Sequence, residues 1–158
     1  MQLFKANRQW QTRPPDERFR DLDSLYAATR EYTDSARVSA VLYSSMRVEA
    51  QEKEMALVGK SNQPAQFTHW AFGQLSARVG APADYLRSLP PTLAAQNLNY
   101  GLANRPPEGT AQLLFHTNGG LLLRAFTSDK YARIWNYEVA ERLLTLRDRG
   151  WEPAKPKP

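Results

Sequence analysis

The sequence predicts an α+β fold: a mostly antiparallel sheet, with a hairpin near 111–126 and several helices packed against it. Three observations lead there. The stretch "ARVSAVLYSSMRVEA" (36–50) alternates apolar and polar residues with period two. In "AQLLFHTNGGLLLRAFT" (111–127), Asn118-Gly119 lies between two apolar runs, the pair favoured in tight hairpin turns because both residues tolerate positive φ. Elsewhere apolar residues recur at spacings of three and four, bounded by Pro, Gly and capping residues.

The first regular element follows Pro14-Pro15, a pair that suits a first helical turn and no helix interior. Leu22, Leu25, Tyr26 and Thr29 share one face of a helix from about Asp21 to Tyr32, with Asp21 and Asp23 at its positive end. The alternating run then sets Val38, Ala40, Leu42, Ser44, Met46 and Val48 on one face of a strand, and Ser39, Tyr43, Ser45, Arg47 and Glu49 on the other. Gln51–Glu54 turns the chain, and "MALVG" (55–59) returns as a shorter partner strand.

Ser61–Pro64 reads as a loop. Thr68 is placed to cap a helix whose apolar face carries Trp70, Leu75 and Val79, and Gly80 ends it. "PADYLRSL" (82–89) forms a short helix and "PTLAAQNLNYGLAN" (91–104) a third, before the break "RPPEGT" (105–110). A two-residue turn at Asn118-Gly119 would set Leu113 opposite Arg124 and Phe115 opposite Leu122. Asn136 caps a final helix running to Arg149, where Gly150 stops it. Residues 1–150 are thus expected to form a single α+β domain, followed by a Pro/Lys tail over 151–158.

Composition narrows the function classes. Cysteine is absent, which excludes disulfides, thiol catalysis and cysteine-ligated zinc. His69 and His116 stand on different elements without metal-ligand spacing, so neither a metal nor a cofactor is expected. No apolar run nears the ~18 residues of a membrane span, and Met1–Trp10 has no signal-peptide core. No membrane partner and a cytoplasmic location are expected. The charge is +5, and 15 of the 21 basic residues are arginine, whose planar fork suits phosphates and flat rings.

Catalytic patterns are missing. No Gly-x-Ser-x-Gly elbow and no phosphate-cradling Gly-rich loop with its Lys occur. Ser128-Asp129 would meet His116 only if the hairpin brought them together, and the pairs Asp21/Asp23 and Glu52/Glu54 sit in charged stretches. "LSARVGAPADYLRSL" (75–89) has the apolar spacing of a helix-turn-helix, yet its second helix offers Asp84 to the phosphates, so a helical corner filling the core is the better reading.

What remains is cations interleaved with aromatics, which occurs twice: Arg8, Trp10, Arg13, Arg18, Phe19 and Arg20, then Arg124, Lys130, Tyr131, Arg133, Trp135 and Tyr137. Single-stranded nucleic acid binds surfaces that pair cations for phosphates with rings for bases, at ~1–3 kcal/mol per stacked base. The competing reading makes the rings core and the arginines a solvated rim.

Four motifs, "RQWQTRPPDERF" (8–19), "AFGQLSARVGAPADYLRSLP" (71–90), "AAQNLNYGL" (94–102) and "LLRAFTSDKYARIWN" (122–136), resemble the phage/plasmid-like protein family, a family of unknown function. The resemblance covers most of 8–150 and corresponds to the N-terminal portion of a family whose members continue past Gly150-Trp151. It maps the family's Ser-Asp-[Lys/Arg]-Tyr signature to Ser128, Asp129, Lys130 and Tyr131, with Arg124 as the arginine before it. It implies a mobile-element setting and therefore a DNA transaction. The expectation is a DNA-binding accessory of phage or plasmid recombination or replication, favouring single strands and acting as an oligomer that aligns or anneals them. Arg124, Lys130 and Arg133 would hold phosphates, Tyr131 or Trp135 would offer a stacking face, and Ser128 and Asp129 would organise the loop, Asp129 by holding Arg124 or Lys130 or by accepting backbone N–H groups. The alternative is a protein-interaction module of a mobile-element or host-defence system.

Overall fold

The computed structural model describes residues 18–19, 21–52, 54–117 and 119–151. In chain order the elements are α1 (Leu22–Asp34), β1 (Ala36–Leu42), a 3-10 turn (Tyr43–Ser45), β2 (Arg47–Ala50), β3 (Met55–Val58), β4 (Pro64–Phe67), α2 (His69–Val79), α3 (Ala83–Ser88), α4 (Pro91–Ala103), β5 (Thr110–Thr117), β6 (Leu121–Ser128) and α5 (Asn136–Arg147). This is the expected α+β class. Contacts group the 1–150 span into two compact units: Ser35–Ala132, and the segments on either side of it.

The larger unit holds one six-stranded sheet, ordered β1-β5-β6-β4-β3-β2. All neighbours are antiparallel except β4 and β6. The edge strands β1 and β2 are consecutive in the chain, joined only by Tyr43–Met46. Six flat strands would separate the two edges by ~24 Å. Five Cα steps from Leu42 to Arg47 reach at most ~18 Å fully extended, and less through a 3-10 turn. The sheet therefore curls, with α2 and α4 packed on its inner face. Leu75, Leu86, Leu98, Leu113, Leu123 and Phe126 are the largest wholly buried apolar side chains there.

The 3-10 turn corrects the single alternating strand. It inserts a shift of phase, so β2 buries the expected Met46–Val48 face while β1 does not: Arg37, Ser39 and Val41 lie opposite Phe115, Leu113 and Ala111, and Val38 and Leu42 are exposed. Tyr43 is buried at the shift, with its N–H on the Gly109 carbonyl and its ring beside Phe126.

The hairpin is present but its register differs from the two-residue-turn expectation. Asn118 lies outside the described residues. Thr117 pairs with Leu121, so the loop has three residues and takes in both Gly119 (φ +71°) and Gly120. Phe115 consequently faces Leu123, and a bulge then sets Leu114 against Ala125 and Leu113 against Phe126. Arg124 is the extra residue of that bulge.

Pro64–Phe67 is a strand rather than a loop end, tied to β6 only at Gln66–Leu122 and Phe67–Leu123. Beyond it α2 takes over β6's free edge. The Thr68 N–H donates to the Leu123 carbonyl (3.0 Å), the Thr68 hydroxyl to the Arg124 carbonyl (3.3 Å), and the Phe126 N–H to Gln74 Oε1 (2.8 Å). Thr68 also caps α2 by accepting from the Ala71 N–H, and Gly80 (φ +77°) closes it, as the sequence indicates. Trp70 departs from its expected buried place and is 75 % exposed, because the buried stripe is Ala71, Phe72, Leu75 and Ser76. Leu75 and Leu86 fill the core, as the helical-corner reading of 75–89 requires.

The other unit contains α1 and α5, which pack against each other. Arg147 reaches Asp23 at 2.6 Å. Trp135, not Asn136, holds the capping position of α5, its N–H donating to Glu138 Oε2 (3.2 Å). The helix ends at Arg147, with Gly150 (φ +89°) beyond it.

Asp21 Oδ1 accepts the Ser24 N–H at 2.7 Å at the start of α1, and this bond holds the Asp21 carboxyl below its ordinary 3.8. A depressed folded pKa contributes stability above the unfolded value and loses it as pH falls through the folded one. An NMR titration of the Asp21 side-chain carboxyl is therefore expected to give a midpoint below 3.8. A midpoint at or above it would show that the cap does not form.

Candidate nucleic-acid interface

In the larger unit, β6 ends in a tight corner. The Tyr131 N–H donates to the Ser128 carbonyl (3.1 Å), and the Gln112 side-chain amide of β5 donates to the Asp129 carbonyl (3.1 Å). Ser128 and Asp129 thus organise the loop through main-chain carbonyls. The Asp129 carboxylate forms no ion pair with Lys130 among the described residues; the Gln112 bond is to its main-chain carbonyl. Lys130 is exposed and forms no ion pair among the described residues, and Tyr131 is 47 % exposed. Arg124 is exposed at the bulge, four residues before the corner on the same strand. A bulge twists its strand and re-aims the residue it carries.

Arg133 and Trp135 belong to the other unit. There the Arg133 guanidinium sits over the Trp135 ring, 5.5 Å from its centroid, and both residues are only partly exposed. Arg30 similarly covers Tyr137 at 4.8 Å. A ring face occupied by a guanidinium is not available for a base, so the Trp135 face under Arg133 is closed to stacking, and Tyr131 is the more exposed of the two expected stacking residues. From the N-terminal cluster, Arg18 and Phe19 are partly exposed, while Arg8, Trp10, Arg13 and Arg20 lie outside the described residues.

The alternative chemistries do not assemble. Ser128 pairs with Ala111 and His116 with Leu122, so five residue steps, ~17 Å of strand, separate them. The buried His116 ring nitrogen instead bonds the Ser35 hydroxyl at 2.5 Å. Asp21 and Asp23 are engaged in the cap and in the Arg147 pair. Among the described residues no cluster of His, Asp or Glu could hold a metal ion, and no helix is long and apolar enough to cross a membrane.

One feature of the larger unit escapes the sequence. Where α2 and α4 leave the inner face uncovered, a cleft of about 450 Å³ opens. Val41, Leu57, Leu113, Phe115 and Leu121 contribute its apolar lining, and Arg37, Ser39, Lys60, Ser61 and Gln63 its polar one. No acidic residue lines it among the described residues. Its only local signal is the polar "GKSNQ" (59–63) after an apolar strand. Comparison of the chain with protein-family models, with curated proteins and with solved structures returns no match.

Proposed function

We propose that this chain binds single-stranded nucleic acid, with the β6 corner as its contact, and serves as an accessory of DNA recombination or replication in a phage or plasmid setting. The observation that carries the binding reading is the corner itself: Lys130 and Tyr131 stand outward on a turn fixed by Gln112, on the strand whose bulge presents Arg124. A cation beside a ring on a rigid support matches the two needs of a single strand, phosphate neutralisation and base stacking. The mobile-element setting rests on the sequence resemblance to the phage/plasmid-like family.

Fluorescence anisotropy with labelled single- and double-stranded oligonucleotides over a salt series tests this. The wild-type chain is expected to prefer the single strand. Lys130→Ala should weaken binding and make log K against log salt shallower by ~0.7, the value of one phosphate contact on a single strand. Tyr131→Ala should weaken binding with little change of slope, because a stacked ring releases no counterions. Equal affinity and slope for Lys130→Ala and wild type would remove the corner from the interface.

A second reading, a protein-interaction module, is favoured by one observation. Val139, Leu143 and Leu146 form an exposed apolar stripe along α5, at the spacing of one helix face. Sedimentation separates the two readings, since association through that stripe would persist at salt that strips nucleic acid.

A further inference from the structure

We infer that the inner-face cleft takes a nucleotide, its base lying on the Leu113–Phe115 floor and its phosphate meeting Arg37 and Lys60. In making that nucleotide part of a single strand, the inference rests on the proposed function. The nucleotide chemistry itself comes from the cleft. At about 450 Å³ the space lies within the range of small-ligand sites. Its floor is apolar and includes one aromatic ring, a surface on which a flat base loses water favourably.

Charge points the same way. Arg37 comes from β1 and Lys60 from the β3–β4 turn, two segments far apart in the chain that the curled sheet brings to one cleft. Among the described residues neither forms an ion pair, and no described carboxylate lines the cleft to neutralise them. An anion is the complementary ligand. The lining also carries the Ser39 and Ser61 hydroxyls and the Gln63 amide. Together these provide both donors and acceptors, which suit the edge of a base and would be left facing hydrocarbon by an acyl chain.

Gly59 gives the means of testing it. It lines the cleft, and a Cβ built there meets no atom within 4 Å. Its φ lies outside the left-handed region, so Gly59→Trp can obstruct the cleft without backbone strain. Thymidine monophosphate is titrated into the full chain and followed by NMR shifts, with thymidine and decanoate as comparison ligands. A labelled oligothymidylate is measured in parallel by anisotropy. Thymidine monophosphate is expected to bind at least ~10-fold more tightly than thymidine, since loss of a charge-assisted contact has that scale. Gly59→Trp should abolish its binding. The Arg37→Ala/Lys60→Ala pair should weaken it to the thymidine level, and carries the same comparison should the tryptophan variant fail to fold.

If both the mononucleotide and the oligonucleotide are weakened by Gly59→Trp, the cleft holds one unit of a bound strand. Mononucleotide binding lost in Gly59→Trp, with no oligonucleotide binding by wild type, keeps the cleft as a free-nucleotide site and sinks the proposed function. No mononucleotide binding to wild type, binding unaffected by the cleft variants, or preference for decanoate overturns the inference. Oligonucleotide binding that is lost in Lys130→Ala but unchanged in Gly59→Trp overturns it too, while leaving the corner reading standing.

Discussion

Replacing Gly101 by alanine is expected to destabilise the protein by about 1–3 kcal/mol, although the same change in an exposed helix interior would stabilise by ~1 kcal/mol. The sign reverses because α2 and α4 touch at this point. A Cβ on Gly101 would lie 2.5 Å from Val79 Cβ, with both Val79 methyl groups at 3.1–3.2 Å. The conflicting atom is a Cβ attached directly to a helix backbone, so no rotamer change removes it and the helices must separate. Urea unfolding checks the loss. Val79→Gly removes the obstructing atom, so it should partly rescue Gly101→Ala despite its own helix-propensity cost, giving a coupling energy of roughly 1 kcal/mol or more between the two sites. Stabilisation by Gly101→Ala alone would mean the helices do not approach so closely.

Asn99→Ala is the second substitution with a large expected effect, about 2–3 kcal/mol. Asn99 stands on α4, and its side-chain amide completes the edge of the sheet. The Val48 N–H donates to Asn99 Oδ1 at 2.7 Å, and Asn99 Nδ2 donates to the Val48 carbonyl at 2.8 Å. Among the described residues β2 has a strand on one side only; both Val48 main-chain groups point away from β3, and Asn99 alone of those residues meets them. Alanine would leave a donor and an acceptor together at a partly buried edge, which is also a template for strand addition by another chain. Asn99→Asp provides the control: a carboxylate accepts from the Val48 N–H but cannot donate to its carbonyl, so roughly half the loss should remain. A change within ~0.5 kcal/mol for Asn99→Ala, the scale of an ordinary surface substitution, would show that water serves this edge as well as the amide does.

Local chemistry was legible in the sequence wherever it decides the outcome locally. Thr68 and Gly80 mark the ends of α2, Pro91 begins α4, and the two apolar runs around Gly119 pair as a hairpin. The failures are non-local. β4 is four residues long and begins with a proline, so it carries no periodic signal; it exists because β3 and β6 offer it edges. The phase of β1 is hidden in the sequence because a 3-10 turn leaves alternation intact on both sides while changing which face is inner.

The candidate site divides the same way. Lys130 and Tyr131 follow directly from a polar corner after a greasy strand. By contrast, the cover of Arg133 over Trp135 depends on side-chain orientation that composition does not encode. The cleft needs β1, β5 and the β3–β4 turn on one face, an arrangement set by strand order alone.

That strand order also has a consequence for biosynthesis. Among the described residues β1 pairs only with β5, setting Ala36 opposite His116 and Leu42 opposite Thr110. Translation at ~5–20 residues per second leaves roughly 4–15 s between the emergence of β1 from the ribosome and that of its partner. The β2–β3 hairpin and the helices that follow can form during that interval, because their contacts are short in sequence. β1, with Val38, Val41 and Leu42, must wait. The nascent chain therefore passes through a stage in which its first strand is a waiting apolar edge, and this is the stage at which a chaperone would bind it or two growing chains would mispair.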